Sequence, residues 1–89
     1  MILAWTIRYS QRAAKELRKL DKPSARRMIM ALEEISALAD PRSRGRGLTG
    51  SLAGLWRYRV GDYRIICDLS DDQLVIVALE LGHRSAIYD

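Results

Sequence analysis

Arg57 and Arg59 alternate with Trp56, Tyr58 and Val60; past Gly61-Asp62, Arg64 and Ile66 alternate with Tyr63, Ile65 and Cys67. A glycine in the first central position of a two-residue loop suits a type II′ turn, whose twist matches the flanking strands. That turn pairs Val60 with Tyr63, Arg59 with Arg64 and Arg57 with Ile66, and successive side chains of a strand point to opposite faces. Three arginines then share one face of a hairpin. Like charges directly opposite each other are destabilising, so the arrangement calls for a bound anion. A phosphate gripped by guanidinium forks fits, and the charge of a phosphoryl-transfer transition state fits better still. The competing reading is a solvated sheet face with Asp62 or Asp68 as neighbours.

Leu74 to Leu81 reads as one more strand, leading to His83, Arg84 and Tyr88. The loop around Asp71-Asp72 sets which residue joins the arginines. Two or four loop residues put His83 there and three put Arg84 there, while a bend at Gly82 would break the parity. Histidine is the residue type that shuttles a proton near neutrality. Tyr88 suits stacking on a base and closing the core equally well.

The elements that must carry these residues follow from periodicity. Ile2 to Tyr9 is rich in β-branched and aromatic residues and reads as a strand. Ser10 is a good N-cap for a short helix with Ala13, Ala14, Leu17 and Leu20 on one stripe. Asp21-Lys22-Pro23 interrupts the pattern and starts a second helix, whose stripe is Ala25, Met28, Ile29, Leu32, Ile35 and Ala39, ended by Asp40-Pro41. Residues 41–54 hold one Pro, four Gly and three Arg, and read as a basic, mobile loop in which Arg42, Arg44 and Arg46 are candidate RNA contacts. Three strands in a meander complete a β-α-α-β-β-β order. The expected fold is α+β, a helical hairpin packed on one face of a mainly antiparallel twisted sheet, with residues 1–89 as one domain. Trp56 belongs to the covered face, and Trp5 to the core.

Composition narrows the function. The chain has 89 residues, 48% hydrophobic and 29% charged, which is globular rather than disordered. Its longest apolar run, Leu74 to Leu79, is far short of the ~20 residues that cross a bilayer, and Met1 to Ile7 lacks the basic start of a signal peptide. Cys67 stands alone, so no internal disulfide can form; a reducing cytosol and a cytoplasmic location are expected. With one Cys and one His, no structural zinc is expected, and neither is any cofactor. The net charge is +4. It is concentrated: residues 11–27 hold seven basic and two acidic side chains, and residues 42–64 six arginines and one aspartate. Such Arg-biased clusters point to nucleic acid or an acidic protein partner.

The stretch from Leu48 to Ile66, with its Trp56-Arg57-Tyr58-Arg59-Val60-Gly61-Asp62-Tyr63-Arg64-Ile65-Ile66 core, together with Leu74 to Val77 and Gly82-His83-Arg84-x-x-x-Tyr88, resembles the RelE/ParE superfamily of bacterial and archaeal toxins, and its RelE branch more closely. The resemblance spans the whole chain. It implies a ribosome-dependent mRNA endonuclease encoded beside an antitoxin, entering the ribosomal A site and promoting metal-independent attack of an RNA 2′-OH on the adjacent phosphate. The family's basic active-site positions fall on Arg57, Arg59, Arg64 and Arg84, and its C-terminal RNA-stacking tyrosine falls on Tyr88. Well-known ribonuclease members carry lysines, or a Glu/His pair, where this chain has Arg57 and Arg59. Arginine makes a good clamp and a poor base, so proton transfer falls to His83, Tyr88 or a ribosomal group. The alternative is a ParE-like inhibitor of DNA gyrase without nuclease chemistry; a homologue that has lost activity is a third reading. Under each, the partner is an acidic, amphipathic antitoxin docking on the arginine face and on the apolar edge near Leu74 to Val77. The toxin alone is expected to be a monomer, and a hetero-oligomer with its antitoxin.

Overall fold

The computed structural model describes residues 4–85, so Tyr88 lies outside the described residues. The elements run β1 (Thr6–Tyr9), α1 (Gln11–Lys19), α2 (Lys22–Ser36), β2 (Arg46–Gly47), β3 (Trp56–Val60), β4 (Tyr63–Ser70) and β5 (Val75–His83). They form an α+β fold in which two helices cover one face of a five-stranded sheet, ordered β1-β5-β4-β3-β2.

Local chemistry sets the helix starts. Ser10 caps α1, its side chain accepting from Ala13 N–H at 3.0 Å, and Asp21 caps α2, accepting from Ser24 N–H at 3.1 Å. Hydrogen bonding to Ser24 holds the Asp21 carboxyl below its ordinary value. Ala13, Met28, Leu32 and Ile35 from the helices meet Trp5, Tyr58, Ile65, Cys67, Ile76, Ala78 and Leu81 in the core, and Trp56 packs against it.

The sheet is mainly antiparallel, as expected, with one parallel pair, β1 with β5, Thr6 standing beside Val75 and Tyr9 beside Ala78. Three expectations are corrected, the first by that pair. This makes β5 an inner strand, so Val75 to Val77 is no edge and cannot accept an added strand. Residues 41–54 are structured, with 3-10 turns at Pro41–Arg44 and Gly50–Leu52 on either side of β2. Their anchor is Tyr58, whose hydroxyl donates to the Pro41 carbonyl at 2.9 Å; its ring lies so close to Gly45 that a Cβ there would meet it at 2.8 Å. Finally, α2 ends at Ser36, leaving Ala39 exposed beyond it. Among the described residues no helix is long and apolar enough to cross a membrane.

Candidate nucleic-acid interface

The β3–β4 hairpin has the register its turn dictates: Val60 opposite Tyr63, Arg59 opposite Arg64, Arg57 opposite Ile66. Gly61 sits at φ +60°, the left-handed value a type II′ turn demands there. Arg57, Arg59 and Arg64 therefore leave the face of the sheet away from the helices. Arg57 is buried, Arg64 half-buried and Arg59 exposed. Arg46 pairs with Arg57 through β2 and adds a fourth guanidinium to the same face. Arg46, Gly47, Leu48, Thr49, Leu52, Arg57 and Arg59 line an open groove of about 430 Å³ beside it. Among the described residues, Arg46 and Arg59 make no ion pair.

Arg42 does not join them. Arg42 donates to both oxygens of Asp71, at 3.0 and 2.7 Å, and lies 5.6 Å from the Trp56 ring centroid, on the helix-bearing side. The bond to Asp71 raises its affinity for its proton. Arg44 reaches Glu34 of α2 at 3.4 Å and also lines a second open pocket with Arg46, Arg57 and Arg59. Arg42 is thus a structural contact of the 41–45 segment, while Arg44 stands at the margin of the arginine face.

His83 also departs from the arginine face. Four residues, Asp71 to Leu74, connect β4 to β5, which by simple alternation would place His83 with the arginines. A β-bulge opposite the Ile66–Cys67 step shifts the register, so that Cys67 faces Ala78 while Ile66 faces Glu80, leaving Leu79 unpaired. Beyond the bulge Arg64 faces Gly82 and Tyr63 faces His83. The His83 ring packs edge-on against Tyr63 at 5.7 Å, and its Nδ1 lies 2.9 Å from Ser85 Oγ. Arg84 follows the end of β5, and its backbone N–H donates to the Asp62 carbonyl at 2.8 Å, tying it to the β3–β4 turn beside Arg64.

The sequence reading offers Arg46 as an RNA contact but places it in a loop, because a two-residue strand has no periodicity to detect, and it misses one member of this face. Glu80 arrives through the bulge, and its carboxylate is held by Arg12 of α1 at 3.2 Å. Among the described residues, no three His, Cys, Asp or Glu side chains converge as metal ligands. The face is thus a row of cations that can hold one or two neighbouring phosphates and stabilise charge developing on them.

A family model described as the ParE toxin of type II toxin-antitoxin systems, parDE, matches residues 7–88. Toxin RelG of Mycobacterium tuberculosis is 29% identical over 89 residues, covering 97% of this chain and 98% of that protein. The toxin–antitoxin complex RelBE2 of M. tuberculosis contains a chain that superposes with a TM-score of 0.84 at 27% identity, covering 96% of this chain and 97% of that one. The archaeal RelE–RelB complex of Pyrococcus horikoshii contains another, with a TM-score of 0.72 at 27% identity, covering 96% and 100%.

Proposed function

The chain belongs to the ParE toxin family of type II toxin–antitoxin systems, within the RelE/ParE superfamily, and we propose that it acts as a ribosome-dependent endoribonuclease that cleaves mRNA in the A site and so stops translation. The observation that carries this reading is the row formed by Arg57, Arg59 and Arg64, extended by Arg46, on the sheet face opposite α1 and α2. In the proposed reaction an RNA 2′-oxygen bonds to the adjacent phosphorus, while the bond from phosphorus to the following 5′-oxygen breaks. Arg57, Arg59 and Arg64 hold the phosphate and its added charge; Arg84 assists the leaving oxygen, and Arg46 takes a neighbouring phosphate. An arginine does not give up its proton in a protein. With His83 turned to the other face, the 2′-OH proton passes to Tyr88 or to a ribosomal group.

The relatives solved with RelB support a cognate acidic antitoxin as partner. On this reading the antitoxin neutralises the arginine face and forms a hetero-oligomer with a toxin that is monomeric alone and works in the cytoplasm. The test is primer extension on an mRNA incubated with the purified chain. Truncation should appear only when ribosomes translate that mRNA; cleavage persisting in an Arg64→Ala, Arg84→Ala double variant would refute the assignments.

A second reading, a gyrase-binding toxin without nuclease chemistry, is favoured by the match to the ParE model and by arginines standing where a base would be useful. Under it, a gyrase supercoiling assay responds to the chain and translating ribosomes do not.

A further inference from the structure

Of the cationic stretch over residues 11–27, Arg12 reaches Glu80 and Arg27 shares a pocket with Arg59, while Lys15, Arg18 and Lys19 of α1 take no part in the arginine face. We infer that the outer surface of α1 is a second docking surface, built for the phosphate backbone of an RNA duplex. The helix divides cleanly. Ala13 is fully buried and Leu17 packs on the core, while Gln11, Arg12, Lys15, Arg18 and Lys19 are exposed. The nearby acids are already engaged: Glu16 accepts the Leu81 N–H of β5 at 2.9 Å and lies 3.5 Å from Arg12, which also holds Glu80. Lys15, Arg18 and Lys19 are left without an ion pair among the described residues. Positions three and four apart stand side by side on a helix. Arg12, Lys15 and Arg18 flank a shallow groove of about 550 Å³, with Ala14 offering little bulk in it.

Chemistry selects the occupant. A basic amphipathic helix often binds a membrane or a partner's apolar groove, but here the apolar stripe is spent on the core. Single-stranded nucleic acid is held by stacking on aromatic rings, and no exposed residue of α1 is aromatic. What remains is a row of point charges suited to regularly spaced phosphates, the contact by which duplex RNA is recognised through its shape. Because the arginines leave the other side of the sheet, one chain can hold a duplex on α1 while the arginine face takes a single strand. The inference rests on the proposed function only in placing that duplex in ribosomal RNA.

The test is fluorescence anisotropy of a short labelled RNA duplex, titrated with the full chain at several salt concentrations. For Lys15→Gln, Arg18→Gln, Lys19→Gln combined, affinity should fall about tenfold or more, and the slope of log K against log salt should flatten by about 2–3, near 0.9 per lost phosphate contact. Lys15→Gln alone should flatten it by about 0.9. Circular dichroism should match the parent, since all three side chains are exposed. The same loss should appear in an Arg59→Gln, Arg64→Gln background. Unchanged duplex binding overturns the inference whether or not the chain cleaves mRNA, as does lost binding to polyglutamate with duplex binding intact, which would assign the surface to an acidic protein. Duplex binding weakened in the triple variant, alongside a parent chain that binds the duplex and leaves translated mRNA uncut, would sustain the inference and remove the nuclease reading.

Discussion

Arg59 stands directly opposite Arg64 across the β3–β4 ladder, and among the described residues Arg59 makes no ion pair. Like charges placed directly opposite each other across a ladder repel, and a polyanion lying over them relieves that repulsion. Arg59→Thr should therefore raise the free energy of unfolding in urea by about 0.2–1 kcal/mol from the relieved cross-strand repulsion. It should also lower ribosome-dependent cleavage by about 10²–10³-fold, as for loss of one group that stabilises transition-state charge. Equilibrium unfolding and primer extension on the same preparation check both. A variant that is less stable and equally active would contradict the account.

The bidentate contact from Arg42 to Asp71 ties the 41–45 segment to the β4–β5 turn. The Arg42 side chain is 28% exposed and that of Asp71 67%, so the coupling is that of a surface pair. A double-mutant cycle on Arg42→Ala and Asp71→Ala should give about 0.2–1 kcal/mol, shrinking at high salt. Asp71→Asn should leave mRNA cleavage near parent level, because Arg42 faces Trp56 on the helix-bearing side rather than the arginine row.

Legibility followed the reach of the determinants. The Gly61-Asp62 turn and side-chain alternation are local, so the pairing of Arg59 with Arg64 could be deduced from the sequence. The caps Ser10 and Asp21 were equally readable, each acting within three residues. The partner of Arg42, in contrast, lies 29 residues away, and nothing around Arg42 names it. Pairing of β1 with β5 depends on which strand lies free once the meander has formed, a choice no single segment encodes. The bulge at Leu79 was hidden for a similar reason: its stabilising contact is the Ser10 hydroxyl, which donates to the Leu79 carbonyl at 2.7 Å from across the fold. That one displaced residue decided the side on which His83 emerges.

Ser10 accordingly serves two elements at once, capping α1 and anchoring the bulge. Ser10→Ala should cost about 1–2 kcal/mol in urea unfolding, the upper part of the range for an N-cap, because the Leu79 carbonyl loses its donor as well. Ser10→Asn, which can cap but has a different reach, should recover only part of the loss. Full recovery would show that the bond to Leu79 contributes nothing.

Alkaline stability should report the core. Burial, with Asp68 adding to it, pushes the Cys67 thiol from 9.0 up to about 12. Tyr9 and Tyr58 are also raised from 10.0, chiefly by burial. Each group keeps its proton in the folded chain at a pH where the unfolded chain releases it. The stabilisation is therefore complete below pH 9.0 and is lost as pH rises toward 12. The fall is up to about 1.4 kcal/mol per pH unit for each group. Of these three groups Cys67 acts first as pH rises from 9.0 to 10.0, so Cys67→Ala should reduce the fall in urea midpoints across that interval.

His83 and Arg84 provide the sharpest test of the bulge, since they are adjacent in sequence and the bulge turns His83 away from the arginine face. Arg84→Gln should cut ribosome-dependent cleavage by about 10²-fold or more, as expected for a group stabilising the leaving oxygen. His83→Gln should leave cleavage within about threefold, well short of the 10²–10⁴-fold a general acid or base contributes. Its expected cost is a modest loss of stability from the Tyr63 ring contact and the Ser85 hydrogen bond. The pH profile of cleavage should be the same for His83→Gln and the parent. A profile that loses a limb in His83→Gln would put the imidazole at the reacting phosphate and require β5 to shift its register when RNA binds.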